Sequence, residues 1–257
     1  MGPYWLKRHP FPVVAHFEYS LVLTYAFERA FLQSLIPSGL ELDTLGDNGF
    51  VALAFVQTKG LRPAFLPTFF GRNFFLAGFR VFVRHRTRNG RRLRGLRILK
   101  SLANRRMMCF AGNLLTHYNY EYAKIKERRV DQHLEIEVEC PRMGAGEKMN
   151  INVDLSPCEQ LPPQSPFENM HQARLFAGPM PFTFDYESET HSIVRIEGVR
   201  SEWRPKPVQA TVTNNFFLNS PPFKNKVGVL ANAFIVENVP YRWERGIREK
   251  LPETAAR

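Results

Sequence analysis

The chain has 257 residues, 44% of them hydrophobic, and a formal net charge of +11. Its three cysteines, Cys109, Cys140 and Cys158, lack any C-x-x-C spacing, which argues against a disulfide framework or a zinc knuckle and for a reduced, cytoplasmic protein. No apolar run approaches the length of a membrane-spanning helix, and residues 1–17 carry no signal-peptide pattern.

Phe17 to Tyr25 is rich in aromatic and β-branched residues and reads as a strand. Ala26 to Ile36 has Phe27, Phe31 and Leu35 at helical spacing and ends at Pro37 and Gly39. Leu40–Leu45 is then a short extended piece and Phe50–Gln57 a buried strand. Phe79 to Lys100 reads as a hairpin, because Asn89-Gly90 suits a two-residue type I′ turn. That turn pairs Val83 with Leu96, Val81 with Ile98 and Phe79 with Lys100, and gives one core face of Phe79, Val81, Val83, Leu96 and Ile98. Arginines crowd its tip, where like charges destabilise the pairing unless solvated or offset by an anion.

Met107 to Ile125 reads as another long or bent strand. Leu134, Ile136 and Val138 alternate with Glu135, Glu137 and Glu139, the pattern of a half-buried strand with an acidic outer face. Met149 to Leu155 alternates in the same way, with Gly144–Gly146 as the hairpin connection. Residues 156–166 form a loop, followed by strands at Phe182–Tyr186, Ser192–Val199 and Val208–Thr213. Pro221-Pro222 marks a turn, Val227–Val236 is a further apolar segment, and Tyr241–Leu251 suits a short surface helix. Ten or more short strands with one or two helices describe a mainly antiparallel barrel or sandwich, here a single domain over residues 1–257.

Several stretches resemble a bacterial family of uncharacterised proteins in the acetoacetate decarboxylase-like superfamily. They are His16-Phe17-Glu18-Tyr19-Ser20, Ile36-Pro37-Ser38-Gly39-Leu40-Glu41-Leu42-Asp43, Gly78 to Arg84, Gly95 to Ser101, Gly112 to Tyr120, and Phe176 to Phe182. The resemblance implies a mainly β fold, an antiparallel cone-like β-barrel with a few short helices and a central pocket. It does not carry the decarboxylase catalytic residues over. Those enzymes use a Schiff-base lysine from a lysine pair, whereas the corresponding hairpin reads Asn89-Gly90-Arg91-Arg92-Leu93, and arginine stays protonated. The superfamily's pocket glutamates should fall within residues 48–120. That block holds fourteen Lys and Arg and no Asp or Glu, against 21 and 24 in the remainder, so the net charge lies in it.

Candidate site residues fall in the same block. Lys100, opposite Phe79 in the expected register, could be a nucleophile if desolvated beside cations, or could lay its stem along apolar surface with its amine in water. In the Asn113–Tyr120 run, Asn113, Tyr118 and Tyr120 could line a polar pocket, with His117 or Tyr118 as an acid–base group, or could form a structural hydrogen-bond network. Arg80 and Arg84 share a strand face and suit bidentate recognition of a carboxylate or phosphate, unless the face is solvated or a salt bridge to the Glu135–Glu139 strand takes them. The arginine tip lacks interleaved aromatics, so nucleic acid is not favoured. No histidine spacing points to a metal, and no glycine-rich phosphate loop points to a cofactor. The expectation is a cytoplasmic protein that binds a small anionic organic ligand in a central pocket, with no membrane partner and homo-oligomerisation left open. Whether it is an enzyme stays open. The alternatives are a lyase or decarboxylase of small keto acids acting through Lys100, and a basic surface module for nucleic acid or an acidic partner.

Overall fold

The computed structural model describes residues 4–142, 148–176 and 180–252. The Gly144–Gly146 connection, and residues 177–179 of the last matching stretch, lie outside them. The strands are β1 (Val13–Glu28), β2 (Glu41–Leu42), β3 (Thr44–Leu45), β4 (Asn48–Pro63), β5 (Arg72–Arg86), β6 (Arg92–Ala103), β7 (Tyr120–Tyr122) and β8 (Lys124–Val130). They continue as β9 (His133–Glu139), β10 (Lys148–Asp154), β11 (Phe182–Glu187), β12 (Ser192–Arg200), β13 (Lys206–Pro207), β14 (Gln209–Thr213), β15 (Val229–Trp243) and β16 (Ile247–Lys250). The helices are α1 (Arg29–Gln33), α2 (Arg106–Leu115) and α3 (Met170–Phe176). The mainly β fold expected from the residue patterns is the one observed.

The large sheet runs β15-β1-β4-β5-β6-β11-β12, and β12 turns back to pair with β15 through Gly198, Val199 and Arg200. Backbone pairing therefore follows a closed circuit of seven strands, which removes most of the exposed edges that an open sheet would present. A second sheet, β14-β10-β9-β8, packs Leu134, Ile136, Val138, Met149, Ile151 and Val153 against Leu53, Phe55, Phe79 and Val81 on the outside of that circuit. The acidic outer face expected for β9 is present, with Glu137 and Glu139 paired to Lys148 and Lys124.

Four local expectations are corrected. The helix expected from Ala26 begins only at Arg29, because Ala26 and Phe27 pair with Phe50 and Gly49 of β4 and the ladder prevails over the helical period. The strand expected over Met107–Ile125 is instead α2, a turn, and then β7 and β8. Asn113 closes that turn by donating to the Tyr120 carbonyl (2.8 Å) and accepting from the Tyr120 amide (2.7 Å). Gly112 is needed there, since any Cβ would collide with the Tyr120 ring. The tail is not helical: Tyr241–Trp243 belong to β15, and Ile247–Lys250 pair with β12.

The hairpin register also differs. Its loop has three residues, closed by the Thr87 amide on the Arg91 carbonyl (2.9 Å), with Gly90 at φ +81°. Val81 therefore faces Arg97 and Val83 faces Gly95, until a bulge between Phe79 and Arg80 restores the expected pairing of Phe79 with Lys100. The three-residue loop thereby puts Leu96 and Ile98 on the inner side with Phe82 and Arg80, away from Val81 and Val83.

Candidate functional site

Every strand of the closed circuit contributes to one internal cavity of about 110 Å³, the lumen of the barrel. Small residues make the space: Ala52 pairs with Arg80 and Ala54 with Gly78. A methyl at Gly78 would sit 3.1 Å from Arg80 Nε and 3.2 Å from its Nη2, so the bare glycine lets the guanidinium fold back over its own strand. Phe17, Phe82, Trp203, Phe234 and Trp243 form the apolar wall. The polar lining is two cations, Arg80 and Arg200, with the hydroxyls of Ser20, Ser101, Tyr118, Tyr120, Thr183 and Tyr241. Among the described residues, no Asp, Glu, Lys, His or Cys lines it.

The electrostatics follow from burial. Desolvation pushes the Arg80 guanidinium down from its usual value, and the groups that counter this are Tyr241, Tyr120 and Tyr118 rather than a carboxylate. Arg80 Nε has no hydrogen-bond partner among the described residues. Arg200 is lowered by burial as well. It donates to the Tyr241 hydroxyl (3.3 Å) and stacks 5.0 Å from the Trp203 ring centre. Burial raises the pKa of Tyr118, Tyr120 and Tyr241, so all three phenols are neutral hydrogen-bond donors at ordinary pH. Two desolvated cations ringed by neutral donors are an arrangement chemically suited to a small anion.

Asp185 follows Thr183 on β11 and lies close enough to Tyr118 and Tyr120 to shift both. Burial raises its carboxyl to about 7, with Arg97 opposing. A carboxyl that titrates near neutrality beside a cavity is a common mark of a functional site.

The expected site residues divide between three places. Arg80, Tyr118 and Tyr120 meet in the lumen. Lys100 and His117, with Asn113 and Glu121, line a separate open groove of about 450 Å³ on the outside. There Lys100 is ion-paired with Glu121, and His117 Nε2 stands 3.8 Å from the buried Glu187 carboxylate. Burial lowers the His117 pKa, and Lys7 reinforces this against Glu187. Arg84 shares the Arg80 face but is taken by Asp43 (2.5 Å), which also accepts from Arg94 Nε (2.6 Å). Arg84 and Arg94 are directly opposed across the hairpin, so the anion that offsets their repulsion is the chain's own Asp43. At the tip, the Arg88 amide donates to Glu249 (2.6 Å).

Arg200, Tyr241, Thr183, Ser101 and Asp185 were not foreseen. Arg200 and Tyr241 come together only because β12 closes on β15, and no local pattern announces a pairing between residues 41 apart in the chain.

The fold matches solved structures. An acetoacetate decarboxylase from Legionella pneumophila subsp. pneumophila str. Philadelphia 1 aligns with TM-score 0.62 and 11% identity, over 93% of this chain and 88% of that one. An acetoacetate decarboxylase-like enzyme from Sphingomonas wittichii RW1 aligns with TM-score 0.59 and 11% identity, over 95% of each chain. The enduracididine biosynthesis enzyme MppR, complexed with pyruvate, aligns with TM-score 0.57 and 12% identity, over 93% and 90%. At these identities the likeness is one of fold. Among curated proteins, none matches the chain in sequence. The family model for DUF2071, described as an uncharacterized conserved protein, matches residues 15–235. The chain belongs to the DUF2071 family and has the acetoacetate decarboxylase-like fold.

Proposed function

We propose that the protein binds a small organic carboxylate, of the 2-oxo acid class, in its barrel lumen. One observation carries this reading: Arg80 is a desolvated guanidinium with no carboxylate beside it among the described residues. An uncompensated buried charge costs several kcal/mol, and an anionic ligand offsets that cost. Arg80 receives the carboxylate, and Arg200 with the phenols of Tyr118, Tyr120 and Tyr241 supplies the remaining donors. Asn113 acts at one remove by fixing the Tyr120 backbone. The fold neighbour crystallised with pyruvate supports the size and class of ligand. Lysine-imine chemistry is not part of this reading, because no lysine lines the lumen and Lys100 is engaged with Glu121 outside it. The same donors suit an enolate as well as a carboxylate, so proton exchange at the carbon beside the carbonyl is the activity to assay first.

Titration calorimetry with pyruvate and acetone tests the reading. Pyruvate is expected to bind at least about tenfold more tightly, the least that one charge-assisted hydrogen bond provides. Failure of every three- to five-carbon monocarboxylate to bind ends the proposal.

Asp185 gives a pH prediction. Its raised pKa means the folded protein holds this proton more tightly than the unfolded chain. The contribution is fully present below the unfolded value and is lost as pH rises through about 7. Asp185→Asn therefore melts above wild type at pH 8.5, by up to about 4 kcal/mol of stability, and the gap narrows toward pH 5. A gap that does not change with pH would show that Asp185 is ionised throughout.

A further inference from the structure

A second space opens beside the lumen. It is a groove of about 790 Å³ between the β4–β5 connection and α2, and it includes Phe11, Leu61, Phe74, Met108 and Leu115. Leu76, Tyr118, Tyr120 and Trp243 line both spaces, so the groove abuts the lumen through a shared wall of side chains. The lumen, at about 110 Å³, is smaller than the engineered cavity of about 150 Å³ that admits benzene. It therefore holds a head group and little more, while the groove lies in the usual range for pockets that hold a whole organic ligand. Apolar side chains stand in solvent beside it: Met107 lines it and is 62% exposed, while Phe69, 74% exposed, and Phe65 pack against the lining residues Phe70 and Phe11. Exposed aromatics in such number call for an apolar occupant nearby.

We infer that the ligand is amphipathic: a carboxylate head at Arg80 and Arg200 with an aliphatic chain lying in the groove against Leu61, Met108, Ala111 and Leu115. This inference rests on the carboxylate reading of the lumen and extends it to a chain-bearing acid. The groove sets the length preference and the lumen sets the charge. Tyr118 and Tyr120, shared by both, stand at the junction where head meets tail.

The test is a calorimetric series of unbranched 2-oxo acids from pyruvate to 2-oxododecanoate on the wild-type protein, kept below their micelle concentrations. The dissociation constant is expected to fall about fourfold per added methylene until the groove is filled. Ala111→Trp, which fills the groove from a half-exposed helix position, is expected to abolish the gain with length, so that the twelve-carbon acid binds no more tightly than pyruvate. If pyruvate binds but affinity is flat with length, the groove is not a tail site and the carboxylate reading stands. If no acid of any length binds, both fail. If 1-dodecanol binds as tightly as the twelve-carbon acid, the coupling of head and tail is overturned.

Discussion

Arg80→Met is expected to raise the melting temperature of the ligand-free protein and to abolish its binding of small carboxylates. Both effects have one origin. The guanidinium is held among Tyr118, Tyr120 and Tyr241, without a carboxylate among the described residues and with its Nε unpartnered there. Replacing a buried charged group by an apolar one of similar volume is often stabilising, by about 1–4 kcal/mol. Methionine is unbranched and adaptable enough to follow the arginine stem over Gly78. The bound state loses its principal cation, which costs about 2–5 kcal/mol, or roughly thirtyfold to several thousandfold in affinity. The two readouts move in opposite directions, so misfolding cannot imitate the result. A variant that is both less stable and still competent to bind would mean that Arg80 has a structural partner and not a ligand.

Asp43→Ala is expected to have the largest effect on stability. The Asp43 side chain is 0% exposed, is ion-paired with Arg84 and accepts from Arg94, and these two arginines oppose each other across β5 and β6. Removing it leaves two like charges face to face, and breaking a buried pair in this way costs about 3–5 kcal/mol. Both arginines remain about a third exposed, at 37% and 36%, and water screens part of the loss. The expected destabilisation is about 2–4 kcal/mol, or roughly 5–15 °C in melting temperature for a chain of this size. Arg84→Met with Arg94→Met in the Asp43→Ala background should recover much of it. A melting temperature unchanged by Asp43→Ala would mean that solvent already compensates the arginines.

Both predictions concern the block of residues 48–120 that lacks carboxylates. Its charge is met in two ways. At the hairpin, Asp43 and Glu249 arrive from outside the block and pair with Arg84, Arg94 and the Arg88 amide. In the lumen no carboxylate comes from anywhere in the described chain, and Arg80 is left without one. Local composition is the same at both places, and only the elements packed against each arginine separate a paired cation from an unpaired one.

The residue patterns determined the β-rich class, the alternation of β9 and β10, and the presence of a hairpin near Asn89-Gly90. Each of these depends on a few neighbouring residues and a periodicity of two. They also singled out Arg80, for the face it shares with Arg84, and Tyr118 and Tyr120, for a run dense in polar donors. They could not say which side of a strand faces inward, because strands such as β4 are buried on both faces: Phe50 to Val56 is buried without interruption. Alternation then carries no sign, and one extra residue in the hairpin loop moved Leu96 and Ile98 to the lumen. The α2 segment misled for a different reason: its amphipathic helical period is present, but the short apolar run Met107 to Ala111 is equally compatible with a buried strand. What only the tertiary structure decided was the site. Closure of β12 on β15 brings Arg200 and Tyr241 to Arg80, and a long-range pairing of three residues leaves no local trace in a chain of 257.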